Sequence, residues 1–160
     1  MKTPAETVRV VQTHIQKYNN ATGGSCAASG VEMVLKLEGA AQMGFYDLQD
    51  TYRHQNTGWG PFKTAPIRGI TFSSRSCTSA DVVQAISAEF NLGHYVLLAL
   101  PVAGGFHVFL AFPDNLNQIC LITKAPIAGM PTEPLSGTVI DFLGRVIPFV
   151  QNFDILTYST

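Results

Sequence analysis

Apolar side chains recur along this chain in two rhythms. Ala27, Val31, Val34 and Leu35 fall at i, i+4, i+7 and i+8, the spacing of one helix face. Gly39 stands where a C-cap belongs. Phe45, Leu48 and Tyr52 predict a second helix within residues 40–52. Val82, Val83, Ile86 and Phe90 predict a third, with Ser79 as N-cap and Asn91 and Gly93 as its stop. The second half reads differently. Residues 95–100, 106–112 and 118–123 are β-rich runs bounded by turn-forming clusters, which predicts consecutive antiparallel strands. Their unbroken apolar character predicts central strands covered on both faces. Residues 139–142, 146–150 and 153–158 offer further strands, with Pro148 arguing against a central position for the middle one. Residues 53–75 are polar and rich in Gly, Pro and aromatics, and read as a long surface connection. Helices first and strands later predict an α+β fold, formed as one domain over residues 1–160.

Composition narrows the function classes. Charged residues make up 13% of the 160, against about 25% in an average soluble protein, and the net charge is −1. A nucleic-acid partner is not expected, because phosphate binding draws on clustered Lys and Arg. No window of roughly 18 uninterrupted apolar residues occurs, so no membrane span is expected. The first residues lack the apolar segment of a signal peptide. The expected location is cytoplasmic, or reached by a signal-independent export route. Three cysteines do not suggest a disulfide framework. No paired Cys and His ligand spacing appears, so no metal or cofactor is expected.

Cys26 carries the most information. It follows Gly24-Ser25 and opens the first helical pattern. Unpaired backbone N–H groups and the helix dipole favour negative charge there, which stabilises a thiolate. The same N–H groups can hold an oxyanion. Gly30, inside the helix, costs about 1 kcal/mol relative to Ala, which points to a close approach at that position. Cys120 lies in an apolar run and reads as core. Cys77 precedes the third helix and is a rival to Cys26 by position.

A cysteine nucleophile needs a base within hydrogen-bond reach. His14, His54 and His94 lie in polar or entrance positions and read as solvated. His107 follows Gly104-Gly105-Phe106 and enters an apolar strand, where an imidazole needs a partner or a cleft. Joined with Cys26, it is the candidate base.

A helix-opening Cys and a glycine-led His on a later strand resemble the papain-like fold, and more closely the C39-like cysteine peptidases. The residues that carry the resemblance are Gln16, Cys26 with the helix running to Gly39, the apolar run Val96-Leu97-Leu98-Ala99-Leu100, and Gly105-Phe106-His107-Val108. It spans roughly residues 12–126 in two blocks. The resemblance implies N-terminal helices packed on a C-terminal antiparallel sheet. It also implies a cysteine-dependent acyl hydrolase, cleaving peptide or isopeptide bonds of a peptide or protein substrate. Cys26 would attack a carbonyl, His107 would move the proton, and Gln16 or Asn20 would help hold the oxyanion, Gln16 being preferred. Asn117 or Asp114 would orient the imidazole. Two positions depart from the family pattern. Ala27 stands where Gly usually follows the nucleophile, and Lys124-Ala125-Pro126 stands where Asp-Pro is usual. Two alternatives therefore stay open on the same fold: a deamidase or transglutaminase, and a catalytically inactive binding module.

Overall fold

A computed structural model describes residues 1–15, 25–40, 43–52, 58–102, 105–123 and 152–160. Among these residues the fold is mixed α+β, with four α-helices and a five-stranded antiparallel sheet.

The first helix, α1 (Pro4–His14), starts on a reciprocal cap. The Thr3 hydroxyl accepts from the Glu6 N–H, and the Glu6 carboxylate accepts from the Thr3 N–H. Pro4 sits where its missing N–H costs nothing. The second helix, α2 (Ser25–Leu37), buries Ala27, Val31, Val34 and Leu35, the face the spacing predicts. It stops at Gly39, whose φ of +70° is open to glycine with little strain. The third, α3 (Phe45–Tyr52), buries Phe45 and Leu48. A 3-10 turn over Gly60–Lys63 follows, and then an isolated bridge between Ile67 and Ile70.

The polar stretch expected as a connection over residues 53–75 ends within a strand, β1 (Thr71–Thr78), of which Phe72 and Cys77 are buried. It is an edge strand, so most of its side chains can remain polar. The fourth helix, α4 (Val82–Asn91), is preceded by Asp81 rather than Ser79 at the cap. The Asp81 carboxylate accepts from the Thr78 hydroxyl instead of from a helix N–H. Three strands then run antiparallel to their neighbours: β2 (Val96–Val102), β3 (Gly105–Pro113) and β4 (Ile119–Ile122). The last strand, β5 (Asn152–Ser159), inserts between β1 and β2, giving the order β1-β5-β2-β3-β4. The strands expected over 139–142 and 146–150 lie outside the described residues.

The sheet is the middle of three layers. On one face Leu97, Val108, Leu110, Phe112, Leu156 and Tyr158 meet α1, α2 and α3. On the other Leu98, Phe109, Phe153 and Ile155 meet Val82, Ala85 and Ile86 of α4. Helices therefore cover both faces, where the resemblance implied one group of helices against one sheet. Gly30 lets α2 approach the sheet closely. A Cβ there would come within 2.9 Å of Val108 Cγ1 and 3.1 Å of Leu97 Cδ1. Among the described residues no helix is long and apolar enough to cross a membrane.

Candidate functional site

The N-terminal end of α2 opens on a cleft of about 300 Å³. Cys26 and Ala27 line it from the helix, Ala99, Phe106, Val108 and Asp154 from three adjacent strands, and Gly58 and Trp59 from the segment before the 3-10 turn. The register puts Asp154, Ala99 and Val108 in one row across β5, β2 and β3. Ala99 is the smallest of the three side chains, so the floor is deepest at its middle.

Cys26 is half-buried, and its thiol points at the Phe106 carbonyl oxygen 4.0 Å away. Burial pushes the thiol above its ordinary pKa. The backbone N–H groups of Val108, Ala27 and Cys26 pull the other way, as a helix start should, but burial outweighs them. The thiol is therefore neutral at pH 7.

His107 departs from expectation. Its ring lies edge-on to Phe109 at 5.3 Å between centroids, and so shares the face of β3 that meets the α4 core. Val108 and Phe106 take the cleft side. This follows from the period of two along a strand: in Gly105-Phe106-His107-Val108 the phenylalanine and the valine alternate with the histidine. No hydrogen bond joins His107 to Cys26. The Cys26–His107 pair expected from sequence is thus not assembled. The imidazole is 3% exposed, and its burial lowers its pKa to about 4, so it is neutral at pH 7.

The partner of His107 is one the sequence reading missed. Its Nε2 lies 2.6 Å from the hydroxyl of Thr123, the buried residue that follows β4. The signal was available in the hairpin register. Phe112 faces Cys120 and Leu110 faces Ile122, so continuing the pairing brings Thr123 alongside Phe109 and diagonal to His107.

Asp114 and Asn117 do not orient the imidazole. Asp114 accepts from the N–H groups of Leu116 and Gln118, and Asn117, at φ +58°, completes the same turn. This turn closes the opposite end of β3, seven residues beyond His107, or about 23 Å along an extended strand. Gln16, Asn20, His54 and residues 124–126 lie outside the described residues. Cys120 is buried core, as expected. Cys77 is 6% exposed, part of β1 and packed against α4. His94 is not simply solvated: its ring stacks on Tyr158 at 4.8 Å, and its Nδ1 lies 3.0 Å from Glu89.

No family model, no curated protein and no solved structure matches this chain.

Proposed function

We propose that this chain is a binding module of papain-like type, which receives a peptide segment of a protein in the Cys26 cleft without cleaving it. One observation carries the reading: His107 stands on the face of β3 away from the thiol. Thiolate acyl transfer needs a base in hydrogen-bond reach of the sulfur, and a thiolate fraction to attack with. Here a neutral thiol faces a backbone carbonyl, and a neutral imidazole is held by Thr123. The cleft remains, and among the described residues its walls hold two aromatic side chains and one carboxylate.

The hydrolase is the second reading, and a specific contact favours it. The Cys26 sulfur meets β3 one residue before His107, and backbone N–H groups of Val108, Ala27 and Cys26 favour its charged form. On this reading ligand binding turns this part of β3 so that the imidazole reaches the cleft side. His107 takes the thiol proton, the Cys26 sulfur adds to the carbonyl, the C–N bond breaks and the amine leaves with that proton, and water then hydrolyses the thioester. Deamidation or transglutamination would share that thioester step.

Alkylation with iodoacetamide between pH 5 and pH 10, with the modified residue mapped by mass spectrometry, separates the readings. The binding module gives a Cys26 rate that climbs through the ordinary thiol range and beyond it. A rate plateau below pH 7 would mark an ion-paired thiolate and turn the assignment to the hydrolase.

A further inference from the structure

The charge inside the cleft specifies what enters it. Among the described residues that line the cleft, Asp154 is the charged one. On β5 the cleft-side positions read Asp154, Leu156, Tyr158, and the last two are buried core. The carboxylate therefore marks the point where the strand face leaves the core and enters the cleft. Among the described residues Asp154 has neither a salt bridge nor a side-chain hydrogen bond. The cations of the neighbouring strand and turn do not compensate it. Arg75 pairs with Ile155 and takes the other face of the sheet, where it lines a separate cavity with Cys77 and Asp81. Lys63 donates to the Ser74 hydroxyl at 2.6 Å.

The rest of the cleft suits an apolar stem with a positive end. Ala99 and Val108 offer an apolar floor beside the carboxylate. Phe106 is 68% exposed and Trp59 half-buried, so the faces or edges of two aromatic rings border the space. A cation near aromatic faces and a carboxylate gains from both, and Lys and Arg carry long methylene stems that pack on apolar surface. A volume of about 300 Å³ is at the small end for ligand sites, enough for one side chain and the backbone around it.

We propose that the cleft selects a lysine or arginine side chain of a peptide, with Asp154 as the residue that determines the specificity. The proposal rests on the cleft being the peptide site. It goes further by naming the side chain recognised and the group that recognises it.

The chain's only tryptophan is Trp59, so its fluorescence reports on the cleft alone. Acetylated and amidated pentapeptides Ala-Ala-Xaa-Ala-Ala, with arginine, lysine, norleucine or glutamate at the centre, are titrated against the full chain. Free arginine is titrated alongside. The expected result is a shift of the Trp59 emission, with arginine and lysine peptides binding about tenfold more tightly than the norleucine peptide, the size of one charge-assisted hydrogen bond at a partly exposed site. Asp154→Asn should remove that preference and leave norleucine binding unchanged. Asp154→Lys should turn it toward the glutamate peptide. Asp154 is exposed, so both variants are expected to fold, which circular dichroism checks. Equal binding of arginine and norleucine peptides overturns the charge selection and leaves the peptide-binding module standing. A preference that survives in Asp154→Asn overturns the role of Asp154. Failure of every peptide to move the emission overturns both. Free arginine binding as tightly as its peptide assigns the cleft to the amino acid and overturns the peptide as ligand.

Discussion

At its two ends α2 meets opposite kinds of surroundings. Beyond its C-terminal end, Glu38 accepts a short hydrogen bond from the Tyr158 hydroxyl, which in turn accepts from the Tyr95 N–H. The Tyr95 hydroxyl meets Thr7 of α1 and the Lys2 N–H, and His94 stacks on the Tyr158 ring. Burial and the Glu38 carboxylate hold the Tyr158 hydroxyl far above its ordinary pKa, so it stays a donor across the working range. Residues from α1, just beyond α2, just before β2 and from β5 thus share one closed set of hydrogen bonds. At the N-terminal end the polar groups are sparsely used. Cys26 has one long contact to a carbonyl, and the exposed Asp154 and Phe106 face open space. The closed end ties the layers together, and the open end is where a ligand has groups left to meet. Polar groups satisfied within the fold contribute to stability, whereas those left open are available for recognition.

The sharpest way to break this contrast is at Tyr158. Tyr158→Ala should cost about 3–5 kcal/mol in denaturant unfolding, as a buried aromatic and its hydrogen bonds are lost together. Tyr158→Phe should cost less, about 1–2 kcal/mol, by leaving the Tyr95 N–H and Glu38 without their partner. A Tyr158→Ala loss under 1 kcal/mol would mean the closed end is not what holds the layers. His107 comes next. Its folded pKa of about 4 lies below the ordinary value near 6.5. As pH falls through that window the unfolded chain takes up a proton that the folded chain refuses. Stability should therefore drop between pH 6.5 and pH 4, by up to about 3 kcal/mol, and level off below. His107→Gln should remove that slope, seen by unfolding at pH 7, 5.5 and 4.5. An unchanged slope would place the titrating group elsewhere.

Gly30→Ala probes the middle of α2, between the two ends. The new methyl meets the Val108 and Leu97 side chains, and the gain in helix propensity offsets only part of the crowding, leaving a loss of about 1 kcal/mol. Because Val108 also lines the cleft, peptide affinity should fall with it. A stabilised variant with unchanged binding would show that the contact is loose. The smallest effect is expected at Asp114. Asp114→Ala removes two exposed turn hydrogen bonds and should cost about 0.5 kcal/mol, with Trp59 titrations unaltered. A change in peptide binding there would tie the turn to the cleft after all.

How much was legible in the sequence follows from what each element depends on. The core face of α2 and its stop at Gly39 show in periodicity, and strands β2 to β5 show as apolar runs, but β4, expected as a central strand, is buried on both faces while standing at the edge of the sheet. The strand β1 did not show, because an edge strand keeps its polar side chains and gains its place by pairing with β5, some eighty residues away. The cap of α1 is written in Thr3, Pro4 and Glu6, a local signal that carries no apolar face with it. At the site, Cys26 at a helix start lining a cleft was legible, and so was the close approach at Gly30. The face of His107 was not. A histidine in an apolar strand declares burial, but which side it takes depends on the frame of alternation, and only the packing of Val108 against α2 sets that frame. Its partner Thr123 depends on hairpin register, which composition does not reveal.

The position of β5 carries a consequence for synthesis. Thr71 pairs with Ser159 and Leu97 with Leu156, so the two strands on either side of β5 wait for residues 152–159. While the chain emerges from the ribosome, β1 and β2 present unpaired edges, and the sheet closes only after residues 152–159 are made. Folding of the sheet is thus governed by these long-range pairings. A nascent chain halted before residue 152 would keep β2, β3 and β4 paired and leave β1 without its partner among the described strands.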